Sequence, residues 1–188
     1  MSESIMIRHS AYQVDWTELD REELEKLLRH EKDPGIDEEK LEQQLDTEKL
    51  RDQNFTKIYS SSLKRARQTA EKLSEVLDIP VEEKEELKEH RFKGVPEKVF
   101  QEGSEAVRQY LLDRTREKSV ETDFTREQAA GSVLVISHGF KMRNFYLEIF
   151  DGDFGILRNN RRFRNYLTGF DFSKGVFASL NQEIGRLV

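Results

Sequence analysis

At 188 residues, with 36% charged and 36% apolar, the chain suits one lean globular domain spanning residues 1–188, and its twelve Phe speak against intrinsic disorder. The absence of Cys excludes disulfides, thiolate nucleophiles and cysteine-held zinc. A formal net charge of -6 disfavours a general nucleic-acid binder but permits a locally positive pocket for a small anion.

The elements follow in chain order. Ile5-Met6-Ile7 reads as a short buried strand running into Arg8-His9. Thr17 to Leu28 carries a loose leucine stripe at helical spacing, and Asp33-Pro34-Gly35 ends it. Asp37 stands where an N-cap belongs, ahead of a helix from Glu38 to about Leu50. Lys57-Ile58-Tyr59 is a second strand, followed by three serines able to cap a helix from Leu63 to Leu77. Val81 to Glu83 is extended, Glu105 to Lys118 helical, and Ser119 to Ala130 a surface loop.

Ser132-Val133-Leu134-Val135-Ile136 is continuous, β-branched and apolar, the pattern of a central parallel strand. A helix from Gly139 to Phe150 follows it. Leu167 to Phe172 and Val176 to Leu180 suggest a closing hairpin. The alternation predicts an α/β fold: three layers, α/β/α, with a mostly parallel central sheet and helices on both faces. The first residues lack the long apolar core of a secretory signal, and no run approaches the ~20 apolar residues of a membrane span. The expectation is a soluble, cytoplasmic protein with no membrane partner.

Chemistry concentrates where strands end, which is where open α/β sheets bind ligands. The first strand ends in Arg8-His9, the second leads through serines to Arg65, and the strongest ends in Ser137-His138-Gly139. Guanidinium forks match phosphate, imidazoles act as nucleophiles or donors near neutral pH, and helix N-termini favour anions. The set suggests a phosphate pocket. Among the four histidines, His30 and His90 read as structural, although His90 could reach the pocket mouth.

Three segments carry a resemblance: Ile7-Arg8-His9-Ser10, the run Tyr59 to Ala70 with Leu63-Lys64-Arg65-Ala66-Arg67-Gln68-Thr69, and Val135-Ile136-Ser137-His138-Gly139. In order and spacing they resemble the signatures of the histidine phosphatase, or phosphoglycerate mutase-like, superfamily. Leu87-Lys88-Glu89 resembles the place of its general acid, and the segment from Asp33 to Glu39 a less specific family feature. The resemblance implies that His9 is the nucleophile that becomes phosphorylated. It implies that Arg8, Arg65 and His138 hold the phosphate, and that Glu89 protonates the leaving oxygen and then assists water. It implies no metal and no cofactor, and the sequence offers no cluster of metal ligands.

Ser10 stands where the family usually has Gly, and its hydroxyl becomes a candidate phosphate donor. Ala11, Tyr12, Gln13 and Val14 replace accessory family residues, with Tyr12 or Gln13 as substitutes. Arg158, Arg161, Arg162 and Arg164 read as a solvated loop, the alternative being a rim for a second anionic group. Phe154, Phe163 and Tyr166 read as anchors. The leading expectation is a metal-independent phosphatase of a small phosphomonoester acting through a phosphohistidine on His9. Alternatives are mutase-type phosphoryl transfer, a phosphohistidine or phosphoprotein phosphatase, and a catalytically inactive phosphate-binding regulatory module.

Overall fold

The computed structural model describes residues 4–15, 17–116, 131–150, 166–171 and 177–181. Six strands form one sheet: β1 (Ile5–Arg8), β2 (Lys57–Ser61), β3 (Val81–Lys84), β4 (Val133–Ser137), β5 (Thr168–Asp171) and β6 (Phe177–Ser179). Their order is β3-β2-β4-β1-β5-β6. The first four are parallel, while β5 and β6 form an antiparallel hairpin on β1. The helices are α1 (Arg21–Leu28), α2 (Glu38–Gln44), α3 (Thr47–Asp52), α4 (Lys64–Leu77), α5 (Glu97–Gln101), α6 (Ser104–Arg116) and α7 (Gly139–Phe150). No helix among the described residues is long and apolar enough to cross a membrane.

Side chains of successive strand residues point to opposite faces, and here both faces are covered. Ile5, Ile7, Ile58, Leu134 and Ile136 pack with Leu41, Leu50, Ala66, Ala70 and Leu73 of α2, α3 and α4. Met6, Val133, Val135 and Phe170 pack with Met142 and Phe145 of α7 on the other side. The expected α/β/α layering therefore follows from the apolar runs of β1 and β4. Each such fully buried aliphatic side chain contributes about 1.5–3 kcal/mol. Beside β1, Gly169 stands opposite Ile7, and a Cβ there would come within 1.8 Å of the Met6 carbonyl oxygen. Only glycine lets β5 pair at that point.

The structure corrects some boundaries. α1 begins at Arg21, not Thr17, because Asp20 caps it by accepting from the Glu23 amide. The helix expected from Glu38 to Leu50 is two helices. Leu45 is buried and pairs in a β-bridge with Asn181, the Asp46 amide donates to the Leu180 carbonyl, and Asp46 caps α3. A tertiary pairing thus interrupts a helical pattern. None of the three serines caps α4 in the usual way: its N-cap is Leu63, whose amide donates to Ser61 Oγ. α5 and the 3-10 turn Glu85–Leu87 were not foreseen. The predicted loop 119–130 and the arginine cluster with Phe154 and Phe163 lie outside the described residues.

The topology places the site. The chain leaving β1 goes to the β2 side, and the chain leaving β4 goes to the β5 side. Each connection passes the other's strand, with α2 and α3 on one face of the sheet and α7 on the opposite face, and the crevice lies between the carboxyl ends of β1 and β4. Register does the rest. Arg8 pairs with Ser137 in a parallel ladder, so His9 and His138, one residue beyond each, stand side by side.

Candidate active site

His9 is 2% exposed, and its amide donates to the Ser137 carbonyl at 3.0 Å. Its Nδ1 lies 2.6 Å from the Ser10 carbonyl oxygen. A carbonyl only accepts, so Nδ1 carries the proton and Nε2 the lone pair. Arg65 Nε donates to that Nε2 at 3.3 Å. Burial, then the charges of Arg65 and Arg8, push the His9 imidazole well below its usual value. His9 is therefore neutral at physiological pH, with a known nitrogen available as a nucleophile.

Arg65 opens α4 and is itself buried. Its Nη1 is 2.9 Å from Asp33 Oδ1, while the other oxygen of Asp33 accepts from the Lys64 amide. Asp33 thus fixes both the arginine and the helix start that carries it. The turn holding His9 is braced from the same helix: Thr69 Oγ1 accepts from the Ser10 amide at 3.0 Å and donates to the Arg65 carbonyl at 2.8 Å. Arg8 lies over the Tyr166 ring, 4.3 Å from its centroid. Tyr12 and Tyr166 stand 5.7 and 5.8 Å from the His9 ring, forming an aromatic wall. Burial and the neighbouring Tyr166 push the Tyr12 hydroxyl up to about 12, so it stays protonated.

His138 is fully buried, with its ring 5.0 Å from that of His9. Its Nε2 is 2.8 Å from Ser61 Oγ, and its Nδ1 has no hydrogen-bond partner among the described residues. Burial, then Arg65 and His9, hold this imidazole well below its usual value too. Glu89 sits at the N-terminus of α7. Its Oε1 accepts from the Lys141 and His90 amides, and its Oε2 accepts from the Phe140 amide. Each carboxylate oxygen offers two lone pairs, so Oε2 retains one for a proton or a substrate.

A cleft of about 340 Å³ joins these groups, lined by Arg8, His9, Arg65, Glu89 and Tyr12. Of the residues expected in the site, Arg8, His9, Arg65 and Glu89 share this cleft. His138 abuts His9 from behind this lining. Ser10 is also fully buried behind His9 and does not line the cleft, and its hydroxyl has no partner among the described residues. His30 and His90, read as structural, both line the cleft. Sequence reasoning missed Asp33 as the anchor of Arg65, and Tyr166 as a site residue. The Asp-Pro-Gly turn was a signal for Asp33; Tyr166 had none, because its place depends on the hairpin beside β1. Among the described residues, no three His, Asp or Glu converge as they would around a metal ion.

Residues 5–123 match the family description "histidine phosphatase superfamily (branch 1)". The chain belongs to the histidine phosphatase superfamily. Solved structures share its fold. A mycobacterial glucosyl-3-phosphoglycerate phosphatase complexed with VO3 is 19% identical, with 81% of this chain and 82% of that one covered, at a TM-score of 0.51. A phosphoserine phosphatase of Entamoeba histolytica, in complex with phosphoserine, is 18% identical, with 80% and 81% covered and a TM-score of 0.51. No curated protein matches. In this superfamily member the three signature segments are the three parallel strand ends that meet around His9.

Proposed function

We propose that the protein is a metal-independent phosphatase of small phosphomonoesters that works through a phosphohistidine on His9. The observation that carries this reading is the fixed tautomer of a buried, neutral His9 whose Nε2 lone pair faces the Arg65 guanidinium. A phosphoryl group entering beside Nε2 takes over the Arg65 donor. Arg8 and Arg65 then spread over the equatorial oxygens, where charge collects. His138, outside the cleft lining, packs its ring 5.0 Å from that of His9 and helps to hold the nucleophile in position.

The Nε2–P bond forms as the P–O bond to the alcohol breaks, and the leaving oxygen takes a proton from Glu89 Oε2. Water, giving its proton back to Glu89, then attacks phosphorus and releases inorganic phosphate and neutral His9. The two neighbours named above are phosphatases of small phosphorylated molecules, and the cleft is of small-ligand size.

The test is acid-quench trapping of a labelled, acid-labile phosphoryl group during turnover in excess EDTA. Wild type should carry the label on His9, and His9→Ala should lose both label and turnover while its thermal unfolding is retained. Turnover at the wild-type rate in His9→Ala would end the proposal. Dependence on added Mg²⁺ or Zn²⁺ would show that a metal supplies the Lewis acid.

A further inference from the structure

The cleft has two unlike halves. Around His9 it is cationic. Beyond, where α1 and α6 approach the segment after β3, its wall is Leu24, Leu27, Leu28, Phe92, Leu111 and Phe140. Several of these belong to a third apolar cluster, separate from the two that flank the sheet. Polar residues on this wall are engaged by their neighbours. Arg108 holds Glu105 through two contacts of 3.2 Å. Asn144 donates to His90 Nε2 at 3.0 Å, and Glu89 is engaged with the start of α7. Arg143 lies over the Phe140 ring at 5.8 Å.

We infer that this half of the cleft receives an apolar alcohol, so that the substrate is an aryl or alkyl phosphate rather than a phosphorylated sugar or amino acid. The inference rests on the phosphatase reading above. A sugar or serine moiety would bury hydroxyl or ammonium groups against leucine and phenylalanine with few partners. An alkyl or aryl group buries only apolar surface. His30 adds a limited polar contact: both its ring nitrogens are buried without a partner among the described residues. Burial, with Arg65 the largest charged neighbour and Glu89, Arg91 and Asp33 also facing it, brings that imidazole down to about 4. It therefore offers a neutral donor and acceptor, enough for one ether or hydroxyl oxygen, and no charge to attract a carboxylate.

The experiment compares phosphate release from ethyl, butyl and hexyl phosphate with release from phosphoserine and glucose 6-phosphate. In parallel, calorimetry follows binding of ethyl-, butyl- and hexylphosphonate, whose C–P bond this chemistry does not cleave. Each methylene buried should raise kcat/KM, and phosphonate affinity, about fourfold. Phosphoserine should fall roughly tenfold or more below butyl phosphate. Leu27→Asn, at a half-buried position, should flatten the hexyl-to-ethyl ratio. Turnover with no dependence on chain length would overturn the apolar site and leave the phosphatase standing. A rising phosphonate series with no ester hydrolysis would uphold the site and overturn the phosphatase. Absence of both would overturn both.

Discussion

Arg65→Lys separates charge from geometry at the centre of the site. Arg65 places Nη1 on Asp33 at 2.9 Å and Nε on His9 Nε2 at 3.3 Å, with its side chain only 11% exposed. A lysine ammonium is one point donor, so it can serve Asp33 or the phosphoryl group but cannot span them. Losing one charge-assisted bond in a buried setting costs about 1.5–3 kcal/mol. The phosphorylation rate should therefore fall about 10- to 150-fold. Arg65→Gln removes the charge as well. Burial is the first cause of the low His9 value and Arg65 the largest charged one, so this change lets the imidazole rise toward its ordinary value of 6.5.

His9 must be neutral to attack. The acid limb of the rate should thus move to higher pH in Arg65→Gln and stay in place in Arg65→Lys. The assay is single-turnover phosphorylation by saturating p-nitrophenyl phosphate in EDTA across pH. Saturation is needed because the second ionisation of a phosphomonoester, at about pH 6, shapes kcat/KM. Wild-type rates in Arg65→Lys, together with an unmoved acid limb in Arg65→Gln, would refute the assignment of Arg65 to the reacting phosphate.

Glu89→Gln should slow alkyl phosphates by the ~10²–10⁴-fold of lost acid catalysis, and slow phosphorylation by p-nitrophenyl phosphate much less. The amide also turns an NH2 toward backbone donors of α7, so a lower melting temperature should accompany the kinetic effect. Equal slowing of both esters, or leaving-group dependence in Glu85→Gln, Glu86→Gln or Glu97→Gln instead, would remove Glu89 from the acid's role. Stability should also depend on pH through the histidines. His9, His138 and His30 all titrate below the ordinary histidine value of 6.5 when folded, His30 at about 4. The unfolded chain takes up protons first as pH falls through that value, so their contribution is complete above it and is lost toward their folded values. The thermal midpoint should decline between about pH 6.5 and 5, and less steeply in His30→Asn; an identical slope in that variant would contradict the burial of His30.

Much of this architecture is written in local pattern. The continuous apolar run of β4 required a strand covered on both faces, and Ile5-Met6-Ile7 behaved alike, because burying such residues is favourable whichever neighbours they meet. Asp37 marked a helix start because a capping carboxylate acts within three residues. Arg8, His9, Arg65, Glu89 and His138 were recognisable because each sits in a short motif tied to a strand or helix end. Other features depended on partners distant in sequence. The break at Leu45 comes from pairing with Asn181, which local helical spacing does not encode. Ser10 looked exposed to substrate in the motif, yet the Thr69 hydroxyl, 59 residues away, holds its amide and turns it behind His9. His30 and His90 join the cleft only when α1, α6 and α7 converge over the strand ends, and Asp33 reaches Arg65 only when its turn packs against the start of α4. Residue type and short-range spacing thus determined the elements and the chemistry available. Which of those groups share one water-poor space, and in what protonation state, was decided by long-range packing, because desolvation and Coulomb interaction depend on distance in space rather than along the chain.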